Sequence, residues 1–280
     1  DRELFYLANS LVGNNLNTPT LEFTNMGPML KLIRGKCRIA ITGNIYFNII
    51  TNGEINIGRC NKTYNLKEGD ILNILSTIKS NYGYLSIEGG FKLKKQFNSF
   101  STLTNSKIGS NNGTCLKNNQ NIFFYKQGTD KISFLKINKK IIDNIIHVIP
   151  GPQMNYFMIK MINKFFTNPY KISNQSDRVG IRLLNNSINS IKSHDIQSEG
   201  IVKGSIQVPA NGDPIVLLND HPTIGGYPKI ATVILSDISK LAQYPIGTEF
   251  FFKKISLQEA ENIYLKKFRN HKKYLKKINK

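Results

Sequence analysis

With 280 residues the chain exceeds a usual single domain of about 100 to 200 residues, so two domains are expected, each long enough to bury its own core. Its three cysteines, Cys37, Cys60 and Cys115, are odd in number and form no C-x-x-C pair, which argues against a disulfide framework and a zinc knuckle and favours a reducing, cytoplasmic setting. The net charge of +20 would suit a nucleic acid, but it accompanies abundant lysine, asparagine and isoleucine with scarce alanine, the mark of A+T-rich codons. It is spread along the chain without helix-turn-helix, RNP or zinc-finger spacing, so nucleic acid is not expected as a partner.

The chain opens at Asp1 without methionine and is already amphipathic at Leu4, Tyr6 and Leu7, so an N-terminal truncation is expected. The spacing predicts a helix over Leu4–Val12, ended by Gly13-Asn14. Short apolar or alternating runs then predict strands at Leu30–Ile33, Cys37–Ile41, Ile45–Ile50, Ile71–Leu75 and Tyr82–Ile87. Lys94–Gln120, rich in Ser, Thr, Asn and Gly, reads as a long loop, either a contact surface or a loosely ordered excursion. An apolar strand ends at the rigid break Pro150-Gly151-Pro152, and the boundary near it divides the chain into 1–145, 146–257 and a basic C-terminal helix or tail, 258–280. A second helix is predicted over Pro152–Phe166. It contains Met158-Ile159-Lys160-Met161, which resembles a biotin attachment site but lies in a helical pattern rather than at a hairpin tip. Further strands follow at Ser205–Val208, Ile215–Leu218 and Ile230–Leu235. A third helix starts at Ser256, where Glu259 completes a capping box. The sum is a mainly β chain with few short helices, and so many strands favour closed or nearly closed barrels. No apolar run reaches the roughly 20 residues of a membrane span, and the start lacks a secretory pattern, so neither membrane nor export is expected.

No Walker loop, dinucleotide fingerprint, H-E-x-x-H or G-x-S-x-G elbow is present. His147, His194, His221 and His271 lack metal-ligand spacing, so no metal is expected. Unusual residues gather in the second half. In Ser176–Arg182, the guanidiniums of Arg178 and Arg182 beside Asp177 and Gly180 suit a carboxylate or phosphate, and an Asp-Arg pair pinning a turn explains the same residues. Asn211-Gly212 marks a tight hairpin; Ser205 and Gln207 share one strand face before it, either donating to a carbonyl or meeting solvent. The segment Asn219–Lys229 pairs Gly225 and Gly226, whose amides can approach a ligand, with Asp220, His221, Thr223, Tyr227 and Lys229. A glycine-rich crossover with a surface histidine is the alternative. The tail from Lys266 alternates basic and apolar residues, as in a solvated terminal helix.

Five ordered blocks, Ser176–Leu183, Ser198–Ile201, Gly204–Pro209, Asn211–Leu218 and Thr223–Val233, together resemble the family of the C-type 5-oxoprolinase subunit. That family is also known as allophanate hydrolase subunit 2, the kinase-inhibitor antagonist type or the biotin-dependent carboxyltransferase-like family. The likeness extends through Ile149–Gln153 and, more faintly, Leu7–Asn14, Leu21-Glu22 and Tyr84–Gly90. It implies two cyclophilin-like β-barrel domains in tandem and a hetero-oligomer with a related cyclophilin-like B-type subunit and a lactam-binding A-type subunit. It also implies ATP-dependent opening of the 5-oxoproline lactam to glutamate. Under that reading Asp177, Arg178, Arg182, Ser205, Asn211, Thr223, Gly225, Gly226, Tyr227 and Lys229 bind substrate or anion. Gln207, helped by the Gly225 and Gly226 amides, polarises a carbonyl, and Asp220 or His221 moves protons. Two alternatives stand beside it: a carboxyltransferase component that receives carboxybiotin from a partner for a urea-like amide, and a non-catalytic regulatory binding subunit. The first half departs from the family where Asn98–Thr102 and Gly109–Cys115 lack two expected arginines, Thr114 standing in place of one.

Overall fold

The computed structural model describes residues 1–125, 133–134 and 143–278, with side chains to 269. It contains two compact units, Asp1–Lys139 with His271–Lys280 and Lys140–Asn270. The second unit thus takes in Ile145, which the sequence reading assigned to the first domain, because Ile145 already pairs in the first strand of the second unit.

In the first unit, helix α1 (Arg2–Leu11) is capped by Asp1, whose carboxylate accepts from the amides of Glu3 and Leu4. Eight strands follow: β1 (Leu21–Thr24), β2 (Met29–Lys31), β3 (Lys36–Thr42), β4 (Ile45–Thr51), β5 (Glu54–Ile57), β6 (Thr63–Lys67), β7 (Ile71–Thr77) and β8 (Tyr82–Ile87). They form two four-stranded antiparallel sheets, β1-β8-β3-β6 and β2-β7-β4-β5, around a core that includes Phe47, Ile41, Leu72 and Ile74. This corrects the expectation of a second closed barrel. The chain passes between the two sheets repeatedly, first between β1 and β2, where Asn25 adopts a left-handed φ of 59° and Pro28 lacks an N–H donor. Strand β3 is buried on both faces: Cys37, Ile39 and Ile41 meet the core, while Ala40 packs under Leu7, Leu11 and Val12 of the α1 region.

Polar residues under α1 bond to one another, although Arg38 Nε is left without an acceptor among the described residues. Ser86 Oγ donates to Asn9 Oδ1 (2.7 Å), Asn14 accepts from the Gly89 amide (2.9 Å), and Arg38 donates to Val12 O (2.7 Å) and pairs with Glu88 (3.2 Å). The Leu7–Asn14 and Tyr84–Gly90 blocks of the sequence therefore meet in space. Beyond them, the predicted long loop carries a two-rung hairpin, β9 (Thr102–Leu103) with β10 (Ile108–Gly109), and the Thr114 hydroxyl donates to Asn111 O (2.9 Å).

The second unit is a closed barrel in the order β11-β18-β15-β16-β13-β12-β19. Its chain order is β11 (Ile145–Pro150), β12 (Tyr170–Ile172), β13 (Gly180–Leu184), β14 (Glu199–Gly200), β15 (Ser205–Gln207), β16 (Ile215–Leu217), β17 (Ile224–Gly225), β18 (Lys229–Val233) and β19 (Glu249–Lys254). Strands β14 and β17 pair only with each other, as a short ribbon. Residues 208–214 join β15 to β16, a longer connection than the tight hairpin predicted at Asn211-Gly212; its turn closes from Gly212 N to Pro209 O (2.9 Å), with Gly212 at φ 78°.

Helix α2 (Ile159–Thr167) stacks Phe165 on Phe252 of β19, centroids 4.8 Å apart. The helix expected from Pro152 starts later, because Phe157 is buried in extended conformation and bridges Ser190. The strand expected to reach Leu235 ends at Val233, and Leu235–Ala242 forms α3, a helix that the sequence reading omitted; it buries Ile238, Leu241 and Ala242. The Ser256–Glu259 capping box forms as expected, with Glu259 N donating to Ser256 Oγ (3.2 Å) and Ser256 N to Glu259 Oε2 (2.7 Å) at the start of α4 (Leu257–Ile278). Among the described residues no helix is long and apolar enough to cross a membrane.

Candidate functional site

The barrel register aligns Arg182, Ile215, Gln207 and Lys229 across β13, β16, β15 and β18, while the neighbouring row Ile181, Val216, Ile206 and Ala231 fills the interior. Gln207 alternates with the core residues Ile206 and Val208 and so lies on the outer side, and its partner across a register shift in the β15–β18 ladder is Lys229. Such a position ordinarily leaves a polar side chain wet. Gln207 is nevertheless only 6% exposed and Lys229 only 4%.

Two pieces of chain cover them, and each depends on a glycine. On one side, the β14–β17 ribbon sets Glu199 opposite Gly225. A Cβ on Gly225 would lie 2.6 Å from Gln207 Nε2, so β17 covers that amide in its present position only as glycine, and a larger residue would displace the flexible Gln207 side chain. On the other side, Pro150–Gln153 runs against β18. A Cβ on Gly151 would lie 2.3 Å from Lys229 O, and hydrogen bonds from Gly151 N to Ile230 O (2.9 Å) and from Gln153 N to Lys229 O (3.2 Å) hold the contact.

These elements assemble a small polar site. Gln153 Oε1 accepts from Lys229 N (3.1 Å), and Gln153 Nε2 donates to Glu199 Oε1 (2.6 Å), the same oxygen that Lys229 Nζ contacts. The hydrogen bond from Lys229, and next that from Gln153, hold the Glu199 carboxyl below the usual carboxylate range. Lys229 is enclosed while the Glu199 side chain is 45% exposed, so the pair is dry at one end and wet at the other. Beside it, Gln207 Nε2 is buried and has no hydrogen-bond partner among the described residues. A buried donor without an acceptor is costly, and the partner an amide N–H takes is a carbonyl or carboxylate oxygen.

Of the residues singled out in the sequence, Gln207, Gly225 and Lys229 converge here, and Gly226 follows in the ribbon, its carbonyl accepting from Ile196 N (2.7 Å). Gln153 and Glu199 complete the site and were overlooked as functional residues, although both stand in blocks that carry the family resemblance. Ser205 is buried farther along the same strand face. Other candidates have structural duties. Arg178 holds Asp220 through two hydrogen bonds, Nε to Oδ2 (2.7 Å) and Nη2 to Oδ1 (3.2 Å), which clamp the entry of β13 to the Asn219–Lys229 segment. Asp177 caps its own turn, accepting from Val179 N (2.8 Å) and Gly180 N (3.1 Å). Asn211 supports the hairpin through Asp213 N (3.2 Å), and His221 Nδ1 lies 2.5 Å from Pro222 O. Arg182, Thr223 and Tyr227 are exposed. Among the described residues no group of three or more His, Cys, Asp and Glu side chains is arranged to hold a metal ion.

Residues 1–254 match the family model described as carboxyltransferase domain, subdomain A and B. The C-type 5-oxoprolinase subunit of Escherichia coli is 32% identical over 260 residues, which is 93% of this chain and 83% of that protein. The protein of the same name from Haemophilus influenzae is 30% identical over 265 residues, 94% of this chain and 84% of that protein. The crystal structure of Kluyveromyces lactis urea carboxylase is similar over 98% of this chain with a TM-score of 0.85 and 25% identity, and this chain spans 26% of that larger one. The chain belongs to the family of the carboxyltransferase domain, subdomains A and B.

Proposed function

We propose that the chain is one component of an ATP-dependent 5-oxoprolinase complex that opens the 5-oxoproline lactam to glutamate, with partner subunits of the B and A type. The observation that carries this reading is the buried, unpartnered Gln207 amide under Gly225 and beside Lys229. Its support is the similarity to two bacterial C-type 5-oxoprolinase subunits over most of the chain. Amide resonance makes a lactam carbonyl a poor electrophile, and attack on it develops negative charge on oxygen. A preorganised donor in a dry site stabilises that charge. Gln207 Nε2 supplies such a donor, and Lys229 balances an anionic group alongside it.

ATP does not fit this residue set. One lysine already countered by Glu199 and one amide offer no cradle of backbone amides for a triphosphate, so ATP is assigned to the wider complex and no step here runs through it. The likeness to urea carboxylase favours a second reading, transfer of a carboxyl group from a partner's carboxybiotin to a urea-like amide, for which the same donor and cation serve.

Co-expression with the subunits encoded beside it, followed by ATP hydrolysis with and without 5-oxoproline, tests the first reading. Lactam-dependent turnover is expected. A stable complex silent with 5-oxoproline but active with urea and biotin would transfer the assignment to the second reading. A stable complex silent with both would make the chain a regulatory binding protein.

A further inference from the structure

We infer that Glu199 is a built-in stand-in for a ligand carboxylate: it occupies the anion position beside Lys229 and leaves when a small carboxylate enters, opening the β14–β17 ribbon. The inference rests on the proposed use of this site and adds what it selects and how it is closed.

The geometry is two facing pairs. Gln207 and Lys229 are neighbours on the barrel wall, and Gly225 and Glu199 are neighbours on the ribbon. Gln207 faces Gly225, and Lys229 faces Glu199. An enclosed ammonium needs an anion, because a buried charge without a counter-charge is strongly unfavourable. Here that anion is carried not by the barrel but by a ribbon of two residue pairs, on a side chain nearly half exposed to solvent. The barrel side of the contact is fixed: Lys229 sits in a seven-strand ladder and Gln153 is pinned to it by two backbone-linked hydrogen bonds. The ribbon side is the part that can give way.

An incoming carboxylate would inherit what Glu199 Oε1 receives, the Lys229 ammonium and the Gln153 amide. Gly225, the ribbon partner of Glu199, lies over the Gln207 amide, so the donor is covered by the same ribbon and is uncovered with that position for a carbonyl near the carboxylate. The site therefore selects a planar carboxylate with a nearby amide-type carbonyl, and the unpartnered Gln207 Nε2 gains its acceptor only when the ligand is present. The carboxylate can belong to the lactam acid itself or arrive as a one-carbon carboxyl group; both share this chemistry.

Calorimetric titration of the full chain with 5-oxoproline, pyrrolidin-2-one and bicarbonate tests the inference. Glu199→Gln keeps an acceptor for Gln153 but removes the competing charge. It should tighten 5-oxoproline about five- to tenfold and leave pyrrolidin-2-one, which lacks the carboxylate, unchanged. Tightening of bicarbonate alone would identify the one-carbon source and still support the exchange. Unchanged or weaker binding of both anions to a variant that melts like the parent overturns it. Should Glu199→Gln fail to fold, hydrogen exchange on the parent chain decides: the Ile201 amide, held by Thr223 O across the ribbon, should exchange faster when 5-oxoproline or bicarbonate is added. No change at Ile201 with saturating anion overturns the exchange. Persistence of lactam-dependent turnover in the complex would then show that the functional reading stands without it.

Discussion

Gly151→Ala isolates the close approach on which the site is built. Gly151 does not occupy the left-handed region, so alanine meets no backbone penalty there and the effect comes from space alone. Its Cβ would lie 2.3 Å from Lys229 O, 2.7 Å from Ala231 N and 2.8 Å from Ile230 C, all backbone atoms of a barrel strand that no rotamer can move. Relief requires Pro150–Gln153 to lift by about 1 Å, given ordinary carbon contacts near 3.5 Å. That strains three hydrogen bonds: Gly151 N to Ile230 O, Gln153 N to Lys229 O, and Lys229 N to Gln153 Oε1. At about 0.5–1.5 kcal/mol each the loss is about 2–4 kcal/mol. Alanine returns about 0.4–1 kcal/mol by stiffening the unfolded chain, leaving a net loss of about 1–3 kcal/mol. With a urea slope of about 2 kcal/mol/M, the unfolding midpoint of the barrel unit should fall by about 0.5–1.5 M, read by circular dichroism because the chain has no tryptophan. A midpoint within about 0.2 M of the parent, which is under 0.5 kcal/mol at that slope, would refute the argument that this glycine holds Gln153 in place.

At Gly225 the obstructing atom is the end of a flexible side chain, so Gly225→Ala should cost stability little, within about 1 kcal/mol, while displacing Gln207 and abolishing ligand binding by calorimetry; unaltered binding would remove Gln207 from the site. Glu199 has a lowered folded pKa, so its contribution to stability is present above its ordinary value of 4.5 and is lost as pH falls through the depressed value. Ribbon protection measured by hydrogen exchange at Ile201 should fall with acidification below that point, and Glu199→Gln should flatten the dependence. Phe165→Ala removes a fully buried ring stacked on Phe252 and should destabilise the barrel unit by about 3–5 kcal/mol in urea unfolding; a loss below 1 kcal/mol would mean that α2 is not part of its core.

Much of the fold could be read from local pattern. Strands such as Tyr82–Ile87 and Ile45–Thr51 alternate or run apolar between Gly and Asn turns, and the Ser256–Glu259 box marks its helix by chemistry that needs no tertiary context. What escaped notice depended on neighbours. The residues Leu235, Ile238, Leu241 and Ala242 have helical spacing, but they continue the apolar run of β18 and so merge with it in one dimension. Phe157 is pulled out of a helical pattern by its bridge to Ser190. In the first unit the strands divide between the ladders β1-β8-β3-β6 and β2-β7-β4-β5, a partition set by long-range pairing that strand periodicity does not encode.

The site shows the same division. Gln207, Gly225, Gly226 and Lys229 stood out because their residue types are unusual between apolar strands. Gln153 and Glu199 acquire meaning only through contacts spanning 76 and 30 residues, respectively, to Lys229 and 46 residues to each other. Asp220 is a candidate for proton transfer by its chemistry, and the arginine that it pairs with lies 42 residues away in the chain.

The most direct test of the functional account is kcat for lactam-dependent ATP hydrolysis by the complex carrying Gln207→Leu. That substitution removes an amide with no folded-state hydrogen bond at Nε2, so the barrel should remain intact. If Gln207 stabilises charge on the reacting carbonyl oxygen, kcat should fall by about 10²–10³-fold with KM far less affected. An intact complex that turns over at the parental rate would contradict the placement of the chemistry in this site.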